Sequence, residues 1–157
     1  MKLLATLLIL LCYVASAQSI DCRRGKGTSD SPISGTVFAV MNAGRVQRIQ
    51  GRVFYPNGEV LIEQAVVEVF VNPLETNAEN LSYAEVSKIS SGRRVAAYMI
   101  ENDGKFCIRN LSAGKYLLRI GTRNNPAFST MNILVRLAPR GKRSSSKMLR
   151  VELPLSI

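Results

Sequence analysis

The chain has 157 residues, enough for one domain with a sizeable core, and its 46% hydrophobic and 20% charged content is that of a globular protein. It holds no histidine, which removes the commonest general base and the commonest metal ligand, and with them Ser-His-Asp and Cys-His catalysis. A formal net charge of +10 favours anionic partners or surfaces without naming one.

Residues 1–17 read as a secretory signal peptide. Lys2 precedes an apolar run from Leu3 to Val14, and Ala15-Ser16-Ala17 supplies small residues before a cut at Gln18. The run is too short for a permanent bilayer span, so no transmembrane segment is expected after cleavage. A lipid anchor through Cys12 is the weaker alternative, because Leu11 stands where a small residue is wanted. Loss of the signal leaves 20 basic and 11 acidic residues. It also leaves two cysteines, Cys22 and Cys107, in an oxidising compartment that favours one disulfide. The protein is expected to be secreted or periplasmic.

Residues 18–32, rich in Gly, Ser and Arg, read as an N-terminal arm, and 33–157 as a single β-sandwich domain. "ISGTVFAV" and "VQRIQGRVFY" are two strands with a turn expected at Asn42-Ala43-Gly44. Pro56-Asn57-Gly58 closes the second strand. "AVVEVFV" (65–71) places Val67, Val69 and Val71 on one face and the partly polar set Val66, Glu68 and Phe70 on the other. The long connection 72–92 carries a weak helical stripe at Leu74, Ala78, Leu81 and Glu85. It is expected to contain a short helix, either plugging an open end of the sandwich or serving function. "RRVAAYMIE", "KFCIRN", "KYLLRIGT", "MNILVRLA" and "KMLRVELPL" are further strands, with the basic loop 139–147 before the last. Seven or eight short strands separated by turn signals predict an all-β sandwich or barrel.

Asp103-Gly104 predicts a hairpin between Tyr98–Glu101 and Lys105–Arg109. In its second arm Phe106 and Ile108 face the core, while Lys105, Cys107 and Arg109 face out. Cys22 on the arm is then the expected partner of Cys107, stapling the arm across an outer sheet face. Asn110-Leu111-Ser112-Ala113-Gly114 carries the chain to a strand with Tyr116, Leu118 and Ile120 on one side and Leu117 and Arg119 on the other.

"IQGRVFYPNGEVLIEQAVVEVF" followed by "NDGKFCIRNLSAGKYLLRI" resembles the carboxypeptidase regulatory-like domain, over roughly residues 48–155. Gly51-Arg52-Val53, Gly58, Ala65–Val67 and the D-G-x-F-x-I-x-x-L-x-x-G-x-Y-x-L segment from Asp103 to Leu118 carry the likeness. Val60–Ala65 and the long 72–92 connection depart from it. The resemblance implies a prealbumin-like Greek-key sandwich and a non-catalytic role in adhesion, carbohydrate or peptide contact, or domain stability.

Neither an enzyme nor a cofactor is expected. Two distant cysteines make no zinc site, and Glu59, Glu63, Glu68, Glu101 and Asp103 read as ordinary solvated carboxylates. A Lys–Asn isopeptide bond is excluded, since "VQRIQGRVFY" offers Arg48 and Arg52 but no lysine. Asn80 and Asn110 each start an Asn-Leu-Ser glycosylation acceptor. The basic residues suggest an anion-binding surface built from Arg93, Arg94, Arg140, Lys142 and Arg143, against a background in which the charge is simply scattered. Two functions follow: binding of an anionic envelope or glycan surface through basic loops, or docking onto another exported protein. Nucleic acid is not expected as the physiological partner.

Overall fold

The computed structural model describes residues 33, 37–61, 65–74, 81–100, 103–123, 125, 127–139 and 148–155. The expected signal peptide (1–17), the arm (18–32), Cys22, the loop residues Arg140, Lys142 and Arg143, and Asn80 lie outside the described residues.

The fold is an all-β sandwich of eight strands with one short helix, as the sequence predicts. The strands are β1 (Val37–Val46), β2 (Ile49–Phe54), β3 (Ala65–Val71), β4 (Arg94–Ile100), β5 (Lys105–Ile108), β6 (Gly114–Thr122), β7 (Thr130–Leu137) and β8 (Leu149–Glu152), and helix α1 (Tyr83–Ser90) lies between β3 and β4. A five-stranded sheet, β1-β7-β6-β3-β4, faces a three-stranded sheet, β5-β2-β8. The β1–β7 and β2–β8 pairs are parallel and the rest antiparallel. Alternate residues of each strand fill the space between the sheets, among them Ile49, Val53, Val67, Val69, Leu118, Ile120, Ile133 and Val151. Phe106 packs on Gly51 so closely that a Cβ there would stand 2.6 Å from the ring.

The Asn42-Ala43-Gly44 stretch does not turn. It is a bulge inside β1, where the register with β7 shifts between Asn42 and Gly44. Gly44 takes φ +67°, and its N–H donates to Asn42 Oδ1 at 2.8 Å. The local ring that makes Asn-x-Gly a turn signal also absorbs one extra residue in a strand. The chain reverses later, at Gln47 and Arg48.

The Asp103-Gly104 hairpin is likewise absent. β4 belongs to the five-stranded sheet and β5 to the other, so this turn carries the chain from one sheet to its neighbour. Two bonds hold it against β2, and a third closes the turn on itself. Gly104 C=O accepts from Val53 N–H at 2.9 Å, Arg52 Nε donates to the Asp103 carbonyl at 2.8 Å, and Lys105 Nζ meets Asp103 Oδ2 at 2.8 Å. Partial burial works to raise the Asp103 carboxyl, but the Lys105 side chain and N–H, with Arg52 nearby, hold it below the ordinary aspartate value. Strand β5 then pairs with β2, and Phe106 and Ile108 are buried while Cys107 faces outward, as expected.

The helix does not plug an end. It lies on the outer face of the five-stranded sheet, where Val86 and Ile89 join Leu81, Phe70, Leu117 and Leu134 in a second apolar cluster. It starts later than the stripe suggests, because Ser82 and Glu85 form a capping box. The Glu85 carboxylate accepts from the Ser82 N–H and hydroxyl at 2.8 and 2.7 Å, and Leu81 before the cap shares a cluster with Val86 after it.

Gly104 takes φ +69°, and a Cβ there would stand 2.7 Å from the Val53 carbonyl. Gly104→Ala is expected to cost about 1–3 kcal/mol, read as a lower urea midpoint, whereas a wild-type midpoint would mean that this crossing does not need glycine.

Candidate functional site

Strand β3 is buried on both faces from Ala65 to Phe70, so its one carboxylate cannot be solvated. Glu68 is 2% exposed and its Oε1 meets Arg94 Nη1 at 2.6 Å. The expectation of an ordinary solvated carboxylate is corrected here; Glu63 and Glu101 lie outside the described residues. Glu68 sits opposite Arg119 of β6, and Arg119 opposite Asn132 of β7. Arg119 Nη2 donates to the Ile33 carbonyl at 2.9 Å. Arg119 Nε, Thr130 Oγ1 and both amide atoms of Asn132 are buried without a hydrogen bond. Glu68, Thr130 and Asn132 of this polar row are buried, and Arg119 is half-buried.

The two arginines assigned together from sequence therefore part ways. Arg94 is the counter-ion of a buried glutamate, with a third of its side chain exposed. Arg93 is exposed, with its carbonyl accepting from Val71 N–H at 3.2 Å.

A different arrangement of charge is visible along the strand axis. The β1–β2 turn, the β5–β6 crossing, the ends of β3 and β7 and the starts of β4 and β6 all stand at one end of the sandwich. Arg45, Arg48, Arg93, Arg109, Lys115 and Arg136 are placed there. Lys115 Nζ donates to the Leu74 carbonyl at 3.3 Å. Among the described residues the other five side chains meet no carboxylate. Pro139, the last described residue after β7, stands at this end. At the opposite end two cations have carboxylate partners, Lys105 with Asp103 and Arg150 with Glu152 at 2.9 Å, while Arg123 after β6 is exposed. Arg150 also lies 4.0 Å over the Phe54 ring. Sequence reasoning missed Arg45, Arg48 and Arg109 as site residues because they are far apart in the chain. Only the register aligns them.

A groove of about 970 Å³ opens at the basic end. The β1–β2 turn contributes Gln47 and Arg48, the β5–β6 crossing contributes Cys107 through Ala113, and β7 contributes Leu137, with Ala138 and Pro139 beyond it. The crossing is rigid. Asn110 takes φ +66°, Leu111 packs on the core, and the Tyr116 hydroxyl donates to the Ser112 carbonyl at 2.8 Å. Cys107 lines this groove, and no other cysteine is among the described residues.

Among the described residues no group of cysteines and carboxylates is placed to hold a metal ion, and no helix is long and apolar enough to cross a membrane. No family model, curated protein or solved structure matches the chain.

The different partners of the neighbouring arginines give different costs. Arg94→Ala is expected to destabilise by about 3 kcal/mol, the lower end for stripping a buried charge of its partner, since water reaches part of Arg94. Arg93→Ala should stay within about 0.5 kcal/mol of wild type. Thermal or urea unfolding of the two variants checks this; equal effects would remove the distinction.

Proposed function

We propose that this protein is an exported, non-catalytic binding module whose basic end contacts polyanionic envelope or glycan surfaces. The observation that carries the reading is the segregation of charge: among the described residues Arg45, Arg48, Arg93, Arg109 and Arg136 gather at one end without a carboxylate, while Lys105 and Arg150 at the other end are each paired with one. Such a field attracts anions over a Debye length and needs no shaped catalytic pocket. The likeness of Asp103–Leu118 to the carboxypeptidase regulatory-like domain supports the same reading, since it implies a binding or structural role. The segment 1–17 supports export to a secreted or periplasmic location, and the lack of histidine in the chain supports the absence of acid–base catalysis.

Retention on heparin and on anionic vesicles should fall steeply as salt rises from 0.1 M to 1 M, where the Debye length shrinks from about 10 Å to about 3 Å. Replacing Arg140, Lys142 and Arg143 together by Ser should weaken binding several-fold and leave the thermal midpoint nearly unchanged. Retention indifferent to salt would overturn the reading in favour of docking onto another exported protein.

The disulfide belongs to the same proposal. Cys22 is the remaining cysteine of the mature chain, and a Cys22–Cys107 bond would tie the basic arm, with Arg23, Arg24 and Lys26, to the wall of the basic groove. By loop-closure entropy the bond would stabilise the fold by about 4–5 kcal/mol. Peptide mapping of the mature protein should return one linked pair joining these residues; two free thiols or a linked dimer would refute the pairing.

A further inference from the structure

We propose that Arg45 and Arg136 form an oxyanion clamp within a line of cations that binds a linear acidic glycan, a chain bearing sulfate or carboxylate groups. This rests on the reading of the basic end as an anion-binding surface, and adds the residues that grip and the shape of what is gripped.

Arg45 and Arg136 are partners in the parallel β1–β7 ladder, and Arg136 is in turn the partner of Lys115 in the β6–β7 ladder. Val46 and Leu137 beside them point into the core, so the arginines stand on the outer face, and both are exposed. Three cations thus occupy consecutive strands in register. Strands lie about 4.8 Å apart, so the line is about 10 Å long. Like charges directly opposite one another destabilise a sheet. The smaller sheet carries one other such row, Lys105–Arg52–Arg150, and there nearby carboxylates offset it. Two rows inward on the same face, the cation Arg119 stands opposite the anion Glu68, and the far end pairs Lys105 with Asp103 and Arg150 with Glu152. Among the described residues neither Arg45 nor Arg136 has such a partner. Two guanidinium forks one strand apart can share a single sulfate or carboxylate, which converts their repulsion into binding.

The shape favours a chain over a bilayer. The line continues, through the β1–β2 turn, to Arg48 and into the groove that Arg48 shares with Arg109. A flexible acidic chain can follow a line of cations into a groove, whereas a flat lipid surface cannot enter one.

The test compares mature wild type with R45S/R136S, and with R123S as a control from the opposite end. Heparin is the glycan probe, and vesicles of phosphatidylcholine with one quarter phosphatidylglycerol are the lipid probe. Affinity is measured from 50 to 400 mM NaCl. For heparin the slope of log K against log salt should become shallower by about 1.4 in R45S/R136S, two contacts at about 0.7 each by analogy with single-stranded polyanions, and should not change in R123S. Without heparin, the midpoint of R45S/R136S should be no lower than wild type, since a like-charge contact is gone. R45K/R136K keeps the charge but loses the forks, so it should keep the slope and lose affinity. A wild-type slope in R45S/R136S, or wild-type affinity in R45K/R136K, would overturn the clamp and leave the basic-end reading standing. Binding to vesicles but not to heparin would overturn the glycan in favour of a membrane. Binding to neither would overturn both readings.

Discussion

Strand β3 is buried on both faces along nearly its whole length, and this requirement shapes what surrounds it. The inner face meets the three-stranded sheet. The outer face, with Val66, Glu68 and Phe70, needs its own cover. Helix α1 supplies part of it, seating Val86 and Ile89 on Phe70, Leu117 and Leu134. Farther along, Ile33 lies over Gly121 so closely that a Cβ there would come within 2.5 Å of it. Once the face is covered, Glu68 loses its water and must have a cation, and Arg94 arrives from the neighbouring strand. Helix α1, in the long connection between β3 and β4, is therefore a third layer of the fold.

The charge pattern follows from the same topology. Each connection of a sandwich falls at one end or the other. The β2–β3 turn and the β4–β5 crossing share one end, and there carboxylates lie within reach of Arg52, Lys105 and Arg150. The β1–β2, β5–β6 and α1–β4 connections share the other, where the described connections carry arginine without acid. In a chain of net charge +10, some excess must be exposed; here it is collected where the strand ends converge. A field gathered on one pole reaches farther than the same charges spread evenly, and it orients the molecule towards an anionic surface.

Much of the strand content was legible. Period-two alternation placed Phe106 and Ile108, and Tyr116, Leu118 and Ile120, on the core side, and β5 through β8 lie close to where β-rich runs occur in the text. The helix had a readable start that the apolar stripe obscured: Ser82 three residues before Glu85, with Leu81 ahead of them. Pairing was the illegible part. Asp103-Gly104 specifies a tight reversal with a positive φ, but a reversal within a sheet and one between sheets use the same local chemistry. Asn42-Ala43-Gly44 similarly specifies a local ring that serves a turn or a bulge equally well.

The site divides along the same line. Net charge, the histidine-free composition and the inward and outward sides of each strand are properties of residues and their immediate neighbours, and the sequence by itself determined them. Which arginine neutralises Glu68, and which cations stand side by side without a partner, depends on contacts between positions tens of residues apart. Arg93 and Arg94 are adjacent in the chain, yet the packing of β4 against β3 makes one the counter-ion of a buried glutamate and leaves the other in solvent. Arg45 and Arg136 are 91 residues apart, yet a shared ladder makes them neighbours. Strand register is set by how two whole faces pack together, so only the tertiary structure decided which charges meet.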